Sequence, residues 1–501
     1  MAKYKRYDYS QSMLIPVSFE QQLLPGTLEF AIHILVEIRM DMAIFDDNYQ
    51  NDETGRSAYN PKILLKVVLF GYSRGLLTSR KIERACWENV TFMALSGNQR
   101  PDHSTIAAFV TSMKDQILPL FCDILLVCEQ ENLLGGTSFA LDGLKLPGNA
   151  SMQWSGKLSQ ISKKKHKIEH KVKQLLQEQI IADQDDNTDL ADGSNREKQI
   201  EKLQKQAERI DKWLKENDAK IGAQGKELQS NVTDNDSAKM KTSHGTIQGY
   251  NGQALVDGKH QVVIHAEAFG SGQDAQHLAP MVDGAKDNLE NIGESEDYFE
   301  DKVFTADSNY HNQSTLEKCQ EEKLDAYIPD LKFRSRDCRF ATRPRNKAKK
   351  GKKFVLQNFK YDEAKDCYIC PNGKILKIDM KKHIRDRNLY RRYMANEQDC
   401  KPCSLKSRCF YRKNTKRRSL DVLIGAQITN FSKAMQHKVD SDKGRKIYPQ
   451  RMAIVEPVFA NIRTQKRMDR FTLRSKIKVN IQWMLYCMVH NIEKIMNYAT
   501  V

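Results

Sequence analysis

At 501 residues and a net charge of +16, the chain is long enough for roughly two to four domains, and its excess of Lys and Arg suits a polyanionic partner, most simply nucleic acid. The opening MAKYKRYDYSQS has no apolar core for a signal peptide, and no run of about 18 apolar residues exists, which excludes a helical membrane span. The 11 Cys are scattered apart from one cluster between Cys367 and Cys409, so reduced thiols or a metal site are expected rather than disulfides, in a cytoplasmic protein.

Residues 1–25 are polar and aromatic and end at Leu24-Pro25-Gly26. From Thr27 to Ile44, the spacing of Leu28, Ala31, Ile32, Leu35 and Ile38 predicts an amphipathic helix. Asn60-Pro61 starts the next helix, with Asn as N-cap and Pro in the first turn, and Gly75 stops it. Thr78 or Ser79 caps a helix through Ala94, and Asp102 or Ser104 opens another over STIAAFVTSMKDQIL. Short helices with tight turns compose either a helix-turn-helix-like module or a bundle that only packs on its neighbour. Arg100–His103 stands where a DNA-facing turn would.

SFALD, ending at Asp142, reads as a short buried strand that finishes in a carboxylate, although Asp142-Gly143 is also a common turn pair. Residues 157–220 are rich in Lys, Glu and Gln. Ile168, Val172, Leu175 and Leu176 make one apolar stripe; Ile200, Leu203, Ala207, Ile210 and Leu214 make a second near heptad spacing. With DQDDNTDLADGSN between them, this is an inserted antiparallel helical hairpin whose charges form a solvated face, or a DNA or dimer contact. GYNGQALVD and KHQVVIHAEAF read as strands split by an Asp257-Gly258 turn. Gln273-Asp274 opens a helix with Leu278, Met281, Val282 and Ala285 inward, and VFTAD is a second short strand ending in an acid, Asp307. A helix, QSTLEKCQEEK, and a strand, DAYIP, complete a mixed α/β sheet. Asp142 and Asp307 then lie at carboxyl ends of strands, where open α/β sheets place their sites.

The stretch from Lys332 to Lys353 is dense in Lys and Arg, with Asp337 its only acid, and reads as a flexible arm or a phosphate-contacting loop. Cys367/Cys370 and Cys400/Cys403 are CxxC pairs, each able to clamp one side of a tetrahedral structural Zn²⁺, and Cys409 could replace one member. Unligated reduced thiols and a redox role stay open. In YPQRMAIVEPVFANIRTQK, the positions Met452, Val455, Phe459 and Ile462 predict one buried helical face, with Pro457 marking a kink or a start near Glu456. Glu456 is either salt-bridged or a metal ligand. The apolar stretch after it is a core helix, with His490 a satisfied core or helix-end residue. Phosphodiester cleavage suits two Mg²⁺ ions about 3.5–4 Å apart, held by a few carboxylates such as Asp142, Asp307 and Glu456.

Several segments resemble DDE-type insertion-sequence transposases with an RNase H-like catalytic domain. NPKILLKVVLFGYSRGLLTSRKIERACWEN followed by PDHSTIAAF is similar to the InsH-type transposase N-terminal domain. ALDGLKLPGNAS resembles the first-Asp motif, and SNVTDNDSAKMK with GYNGQALVDGKHQVVIHAEAFGSGQDAQHLAPMV resembles the segment between the first two acids. VFTADSNYHNQSTLEKC resembles the second-Asp motif, with Asn309 in place of the usual Gly and Tyr310 kept. CYICPNGK with CKPCSLKSRC resembles a cysteine-bearing insertion of some of these enzymes, and RMAIVEPVFANIR resembles the Glu motif.

The resemblance implies that Asp142, Asp307 and Glu456 are the catalytic metal ligands for two Mg²⁺ (or Mn²⁺) ions. Tyr448, Arg451 and Arg463 stand for the Tyr, Arg and Lys that accompany the Glu, and Lys466 adds a further DNA contact. Here four residues rather than three separate Arg451 from Glu456, and Arg463 replaces the usual Lys. It further implies a DNA transposase acting on double-stranded DNA, namely its terminal inverted repeats and a target, as a homodimer. Such a protein is cytoplasmic, bacterial-type and nucleoid-associated, with no membrane contact. The expected fold is α/β, an RNase H-like mixed sheet with a helical N-terminal domain, an inserted helical hairpin and a basic Cys-containing insertion. The domains would be residues 1–135 for DNA binding, 136–330 for the first part of the core with the hairpin at 157–220, 331–447 for the insertion, and 448–501 for the Glu helix and final helix. Two other classes fit the same residues: a metal-dependent nuclease without strand transfer, and a non-catalytic DNA-binding protein from a decayed element.

Overall fold

The computed structural model describes residues 17–49, 57–182, 190–222, 225–243, 245–340, 353–385, 388–410, 412, 414–425 and 431–499. The chain forms two compact units, one of Met1–Tyr310, Lys318–Ile328 and Lys446–Val501, the other of His311–Glu317 and Pro329–Arg445.

The first unit opens with α1 (Leu28–Ile34), α2 (Pro61–Ser73), α3 (Ser79–Glu88), α4 (Val90–Leu95), α5 (His103–Ser112) and α6 (Ile117–Gln130). Side-chain oxygens of Thr27, Asn60, Asn89 and Asp102 accept first-turn N–H groups and so start α1, α2, α4 and α5. Asn89 explains why the helix predicted from Thr78 to Ala94 is two. Its extended backbone ends α3, and its Oδ1 accepts from Thr91 and Phe92 to begin α4. STIAAFVTSMKDQIL likewise divides between α5 and α6. After α1 the chain widens into a π turn over Leu35–Arg39, which advances the helical phase and leaves Ile38 69% exposed instead of buried.

Next come β1 (Ser138–Pro147), β2 (Ser155–Gly156), α7 (Leu158–Ala182), α8 (Leu190–Glu216), β3 (Ser230–Asn231), β4 (Ala238–Thr242), β5 (Gly245–Asp257), β6 (Val263–Phe269), α9 (Leu278–Asn291), β7 (Val303–Ala306), α10 (Gln313–Glu321) and β8 (Asp325–Tyr327). The main sheet runs β4-β5-β1-β7-β8, with β6 also on β5. β1, β5 and β6 pair antiparallel, while β1–β7 and β7–β8 pair parallel. This is an RNase H-like mixed sheet. β1 is longer than the sequence suggested, because β5 pairs with it from Phe139 to Pro147; Asp142-Gly143 is therefore mid-strand and not a turn. The predicted Asp257-Gly258 hairpin turn is present, joining β5 to β6, with the Asp257 side chain turned inward. Asp257 is buried and accepts the N–H groups of Gly135, Gly136 and Lys259.

The inserted hairpin is held at one end by Ile161 against Ile210 and Trp213, and further along by Val172 and Leu175 against Ile200. Those pairings make α7 and α8 antiparallel. Leu176, placed in the stripe from sequence, is 40% exposed. Residues 183–189 of the predicted connector lie outside the described residues.

The second unit contains α11 (Phe333–Arg336), β9 (Lys360–Asp362), β10 (Cys367–Ile369), β11 (Ile375–Arg385), β12 (Asn388–Ala395), α12 (Glu397–Cys400), α13 (Lys406–Cys409), β13 (Ser419–Gly425) and α14 (Phe431–Asp440), and α15 (Asp442–Ile447) leads out of it. Its antiparallel sheet runs β13-β12-β11-β10-β9 around a small core of Phe354, Phe359, Leu376, Tyr393, Ala395 and Leu420. Most of the predicted basic arm, residues 341–352, lies outside the described residues. Of its described cations, Arg336 pairs with Asp330 and Asp440, and Arg339 pairs with Asp337.

The chain returns to the first unit as α16 (Gln450–Ala460) and α17 (Lys476–Tyr498). α17 binds the N-terminal helices to the sheet. Tyr486 stacks on Tyr72 of α2 at 4.7 Å between ring centroids, Trp483 Nε1 donates to the Gln253 carbonyl at 2.8 Å, and Asn491 exchanges two hydrogen bonds with the Val263 backbone. Trp483 is fully buried, and truncating such a side chain to Ala costs about 3–5 kcal/mol. No described helix is long and apolar enough to cross a membrane.

Candidate active site

The parallel ladder between β1 and β7 ends at the pair Leu141↔Ala306, so the next residue on each strand is an aspartate, Asp142 on one and Asp307 on the other. β7 stops there and turns through Ser308–Tyr310, while β1 continues along β5. The two carboxylates thus stand side by side where the parallel pairing opens. Burial pushes the Asp142 carboxyl above its usual range. The Arg451 guanidinium and the Gly143 N–H pull against that, and the neighbouring Asp307 charge adds to the rise. Arg451 Nη1 donates to Asp142 Oδ2 at 2.5 Å, with Arg451 11% and Asp142 25% exposed. Burial works most strongly against the Arg451 charge, but the charges of Asp142, Tyr448 and Asp307 and the hydrogen bond to Asp142 together outweigh it, and its pKa rises.

Arg451 comes from α16. This helix begins at Gln450, ahead of Glu456, and continues past Pro457 to Ala460. Proline cannot donate to the carbonyl four residues back, and the freed Ala453 oxygen accepts instead from Gln261 Nε2 at 3.0 Å. The buried stripe of α16 is Ile454, Val455 and Val458, continued by Ile462; Met452, predicted to be buried, is 50% exposed. Glu456 lies about 140° around the helix from Arg451, at five residues' separation. It shares the exposed face with Met452, and no hydrogen bond or ion pair joins it to another described residue. The structure therefore brings Asp142, Asp307 and Arg451 together and leaves Glu456 outside. Among the described residues, no three His, Cys, Asp or Glu side chains form a group set to hold a metal ion.

The other predicted DNA contacts divide in the same way. Tyr448 is buried close enough to Arg451 to affect its charge. Arg463 is exposed. Lys466 is fully buried and bonds Glu493 at 2.6 Å and Asn461 Oδ1, so it is a core ion pair and not a surface cation. His490 is also a core residue, with both ring nitrogens engaged by Asn461 and the Gln261 carbonyl. Of the five candidate zinc ligands, Cys370, Cys400, Cys403 and Cys409 line one cavity of the second unit, and Cys367 is buried elsewhere.

A polar hub behind β1 escaped the sequence reading. Asp274 is buried and accepts from Asn251 at 2.6 Å, Gln253 at 3.3 Å, Lys145 at 3.1 Å and Asn309 at 3.3 Å. Gln253 Oε1 in turn accepts the Tyr310 hydroxyl. Asp274 thereby ties β1, β5 and the turn after Asp307 into one network. Gly143 makes room for it: a Cβ there would lie 2.1 Å from Gln253 Nε2 and 2.6 Å from Asn251 Oδ1. The available signal was Asn251 and Gln253, two amides at i and i+2 inside an otherwise apolar strand, which must find buried partners.

Two family models match the chain, a "Transposase DDE domain" over residues 369–496 and a "Transposase domain (DUF772)" over residues 17–112. Together the two matches support a DDE-type insertion-sequence transposase. The first match contains Glu456 and Arg451; Asp142 and Asp307 lie outside both. No curated protein and no solved structure matches the chain. DDE transposase domains generally use divalent metal ions. The chain offers donors that fit one: two adjacent, partly exposed carboxylates, of which Asp142 has only its Oδ2 engaged by a cation that could give way.

Proposed function

We propose that this transposase binds the ends of its own insertion sequence, cleaves the DNA there and joins the freed end to a target. Asp142, Asp307 and Glu456 would hold two Mg²⁺ (or Mn²⁺) ions. When bound, such ions supply charge stabilisation at phosphorus and a deprotonated nucleophile. The observation that carries this reading is the β1/β7 register, which sets Asp142 and Asp307 side by side with Arg451 across from them. Hydrolysis breaks a P–O3′ bond, leaving a 3′-OH on the element and a 5′-phosphate on the flank. That 3′-OH then attacks a target phosphodiester, and the displaced target 3′-oxygen takes up a proton.

The residues have separate tasks. Arg451 keeps Asp142 charged and fixed. Arg463 contacts DNA near Glu456, and Tyr448, buried in this structure, backs Arg451. The N-terminal helices read the terminal inverted repeats, where Arg100 already lies over the exposed Trp87 ring at 4.0 Å, a pair suited to a phosphate or base. The remaining basic arm follows phosphates. Pairing two ends calls for a homodimer on DNA. The domains follow the division into residues 1–135, 136–330, 331–447 and 448–501. The protein works in the cytoplasm, at the nucleoid. The cysteines of the insertion concern a different metal, Zn²⁺, in a structural role.

The test is Mg²⁺-dependent cleavage of duplex DNA carrying the flanking inverted repeats, wild type against Asp307→Ala and Glu456→Ala. Cleavage lost in both variants with end binding retained supports the assignment, and cleavage that persists sinks it. A strand-transfer assay on a pre-cleaved end separates a transposase from a nuclease that stops at hydrolysis.

A further inference from the structure

The second unit contains a built site that the catalytic chemistry does not use. Cys370, Cys400, Cys403 and Cys409 line one cavity of about 30 Å³, together with Lys374, Asp399, Lys406 and Arg418. Three separate pieces of chain deliver the thiols. Cys370 opens the tight turn Cys370-Pro371-Asn372-Gly373-Lys374 between β10 and β11. There Gly373 takes φ +71° and donates to the Cys370 carbonyl, and the Lys374 N–H points at Cys370 Sγ at 3.3 Å. Cys400 ends α12, Cys403 lies in the turn after it, and Cys409 ends α13.

We propose that these four cysteines bind one structural Zn²⁺, and that Cys367 is not a ligand. Strand alternation excludes Cys367. Residues 368 and 370 share one face of β10 and its extension, and both Tyr368 and Cys370 pack on the core beside Cys400 and Cys409; Cys367 points the other way. The sequence pairs Cys367/Cys370 and Cys400/Cys403 are thus misleading, and Cys409 supplies the fourth sulfur. Four thiolates on one Zn²⁺ carry a net charge of −2, which Lys374, Lys406 and Arg418 around the cavity offset. Among the described residues these thiols do not already form a closed metal group, and bound Zn²⁺ would draw them together. The need is physical: a unit with so small a buried core gains most from a metal staple.

The full-length protein should purify from zinc-supplemented cells with about one Zn²⁺ per chain. Cys367→Ser should keep it, and Cys403→Ser and Cys409→Ser should lose it. Cys409→His, which can still ligate, should retain it where Cys409→Ser does not, which separates a ligand from a residue needed only for folding. Co²⁺ in place of zinc in the wild type should give tetrahedral d–d bands and thiolate charge-transfer absorption of four-sulfur intensity, a readout independent of any variant's folding. Wild type without zinc, a disulfide among these cysteines, or loss of zinc in folded Cys367→Ser overturns the proposal. None of these outcomes depends on DNA cleavage.

Discussion

Arg451 is the point at which stability and metal response can be read together. Replacing it with Ala leaves Asp142 partly buried beside Asp307 with no cation. Removing one partner of a fully buried pair costs about 3–5 kcal/mol. Asp142 is a quarter exposed and keeps the Gly143 N–H, so we expect about 2 kcal/mol here. For a protein of 501 residues, that is a fall in melting temperature of only about 2 °C. A divalent cation should then help the variant more than the wild type, because in the wild type Arg451 already holds Asp142 Oδ2. A tenfold gain in Mg²⁺ affinity would return about 1.4 kcal/mol, on the order of 1 °C, at saturating metal. The assay is thermal unfolding in MgCl₂ against EDTA, with Asp142→Asn as the control whose Mg²⁺ gain should vanish. If Arg451→Ala melts with the wild type, or gains no more from Mg²⁺, then Arg451 is not what holds the Asp142 charge.

Glu456→Ala should abolish cleavage while changing stability by less than about 0.5 kcal/mol, since Glu456 is exposed; denaturant unfolding beside the cleavage assay checks it. Gly143→Ala should push Gln253 and Asn251 off Asp274 and cost about 1–3 kcal/mol, read from the same unfolding curves. Asp274→Asn should lower cleavage by about tenfold with end binding unchanged, because it loosens the turn after Asp307; a gel-shift titration alongside rate measurements separates the two effects. His490 is held down to about 3 by burial and by Lys466, so its neutral form stabilises the fold fully above pH ~6.5 and progressively less as pH falls toward 3. In His490→Gln, the acid-side slope of stability should flatten by up to about 1.4 kcal/mol per pH unit, measured by urea unfolding between pH 7 and 4.

Strand and helix order was legible because buried segments repeat their apolar pattern locally, as in VFTA and in the α9 helix. What failed is what depends on a partner elsewhere in the chain. SFALD read as a strand ending at Asp142 because the apolar run stops there, yet β5 extends β1 to Pro147 by backbone pairing alone. Lys466 was misplaced after α16 because a surface cation and a buried one look identical until Glu493 is folded against it. The second sheet was invisible for a related reason. Strands such as ILKIDMKKHIR carry Lys on most outward positions and bury little, so polarity masks the alternation.

The position of Glu456 is consistent with the charges that the β1/β7 register sets side by side. One cation, Arg451, faces two carboxylates. Unit like charges about 5 Å apart repel by about 3 kcal/mol at an effective dielectric of about 20. A third carboxylate at that spot would be opposed by the chain's own residues, whereas on the exposed face of α16 it is solvated at no cost. Under the proposed assignment, bringing Glu456 to the aspartates requires added positive charge, so its approach should be thermodynamically coupled to divalent-cation binding. A probe attached next to it, at exposed Met452→Cys, should respond to Mg²⁺ in the wild-type background and stay silent when Asp307 is Asn.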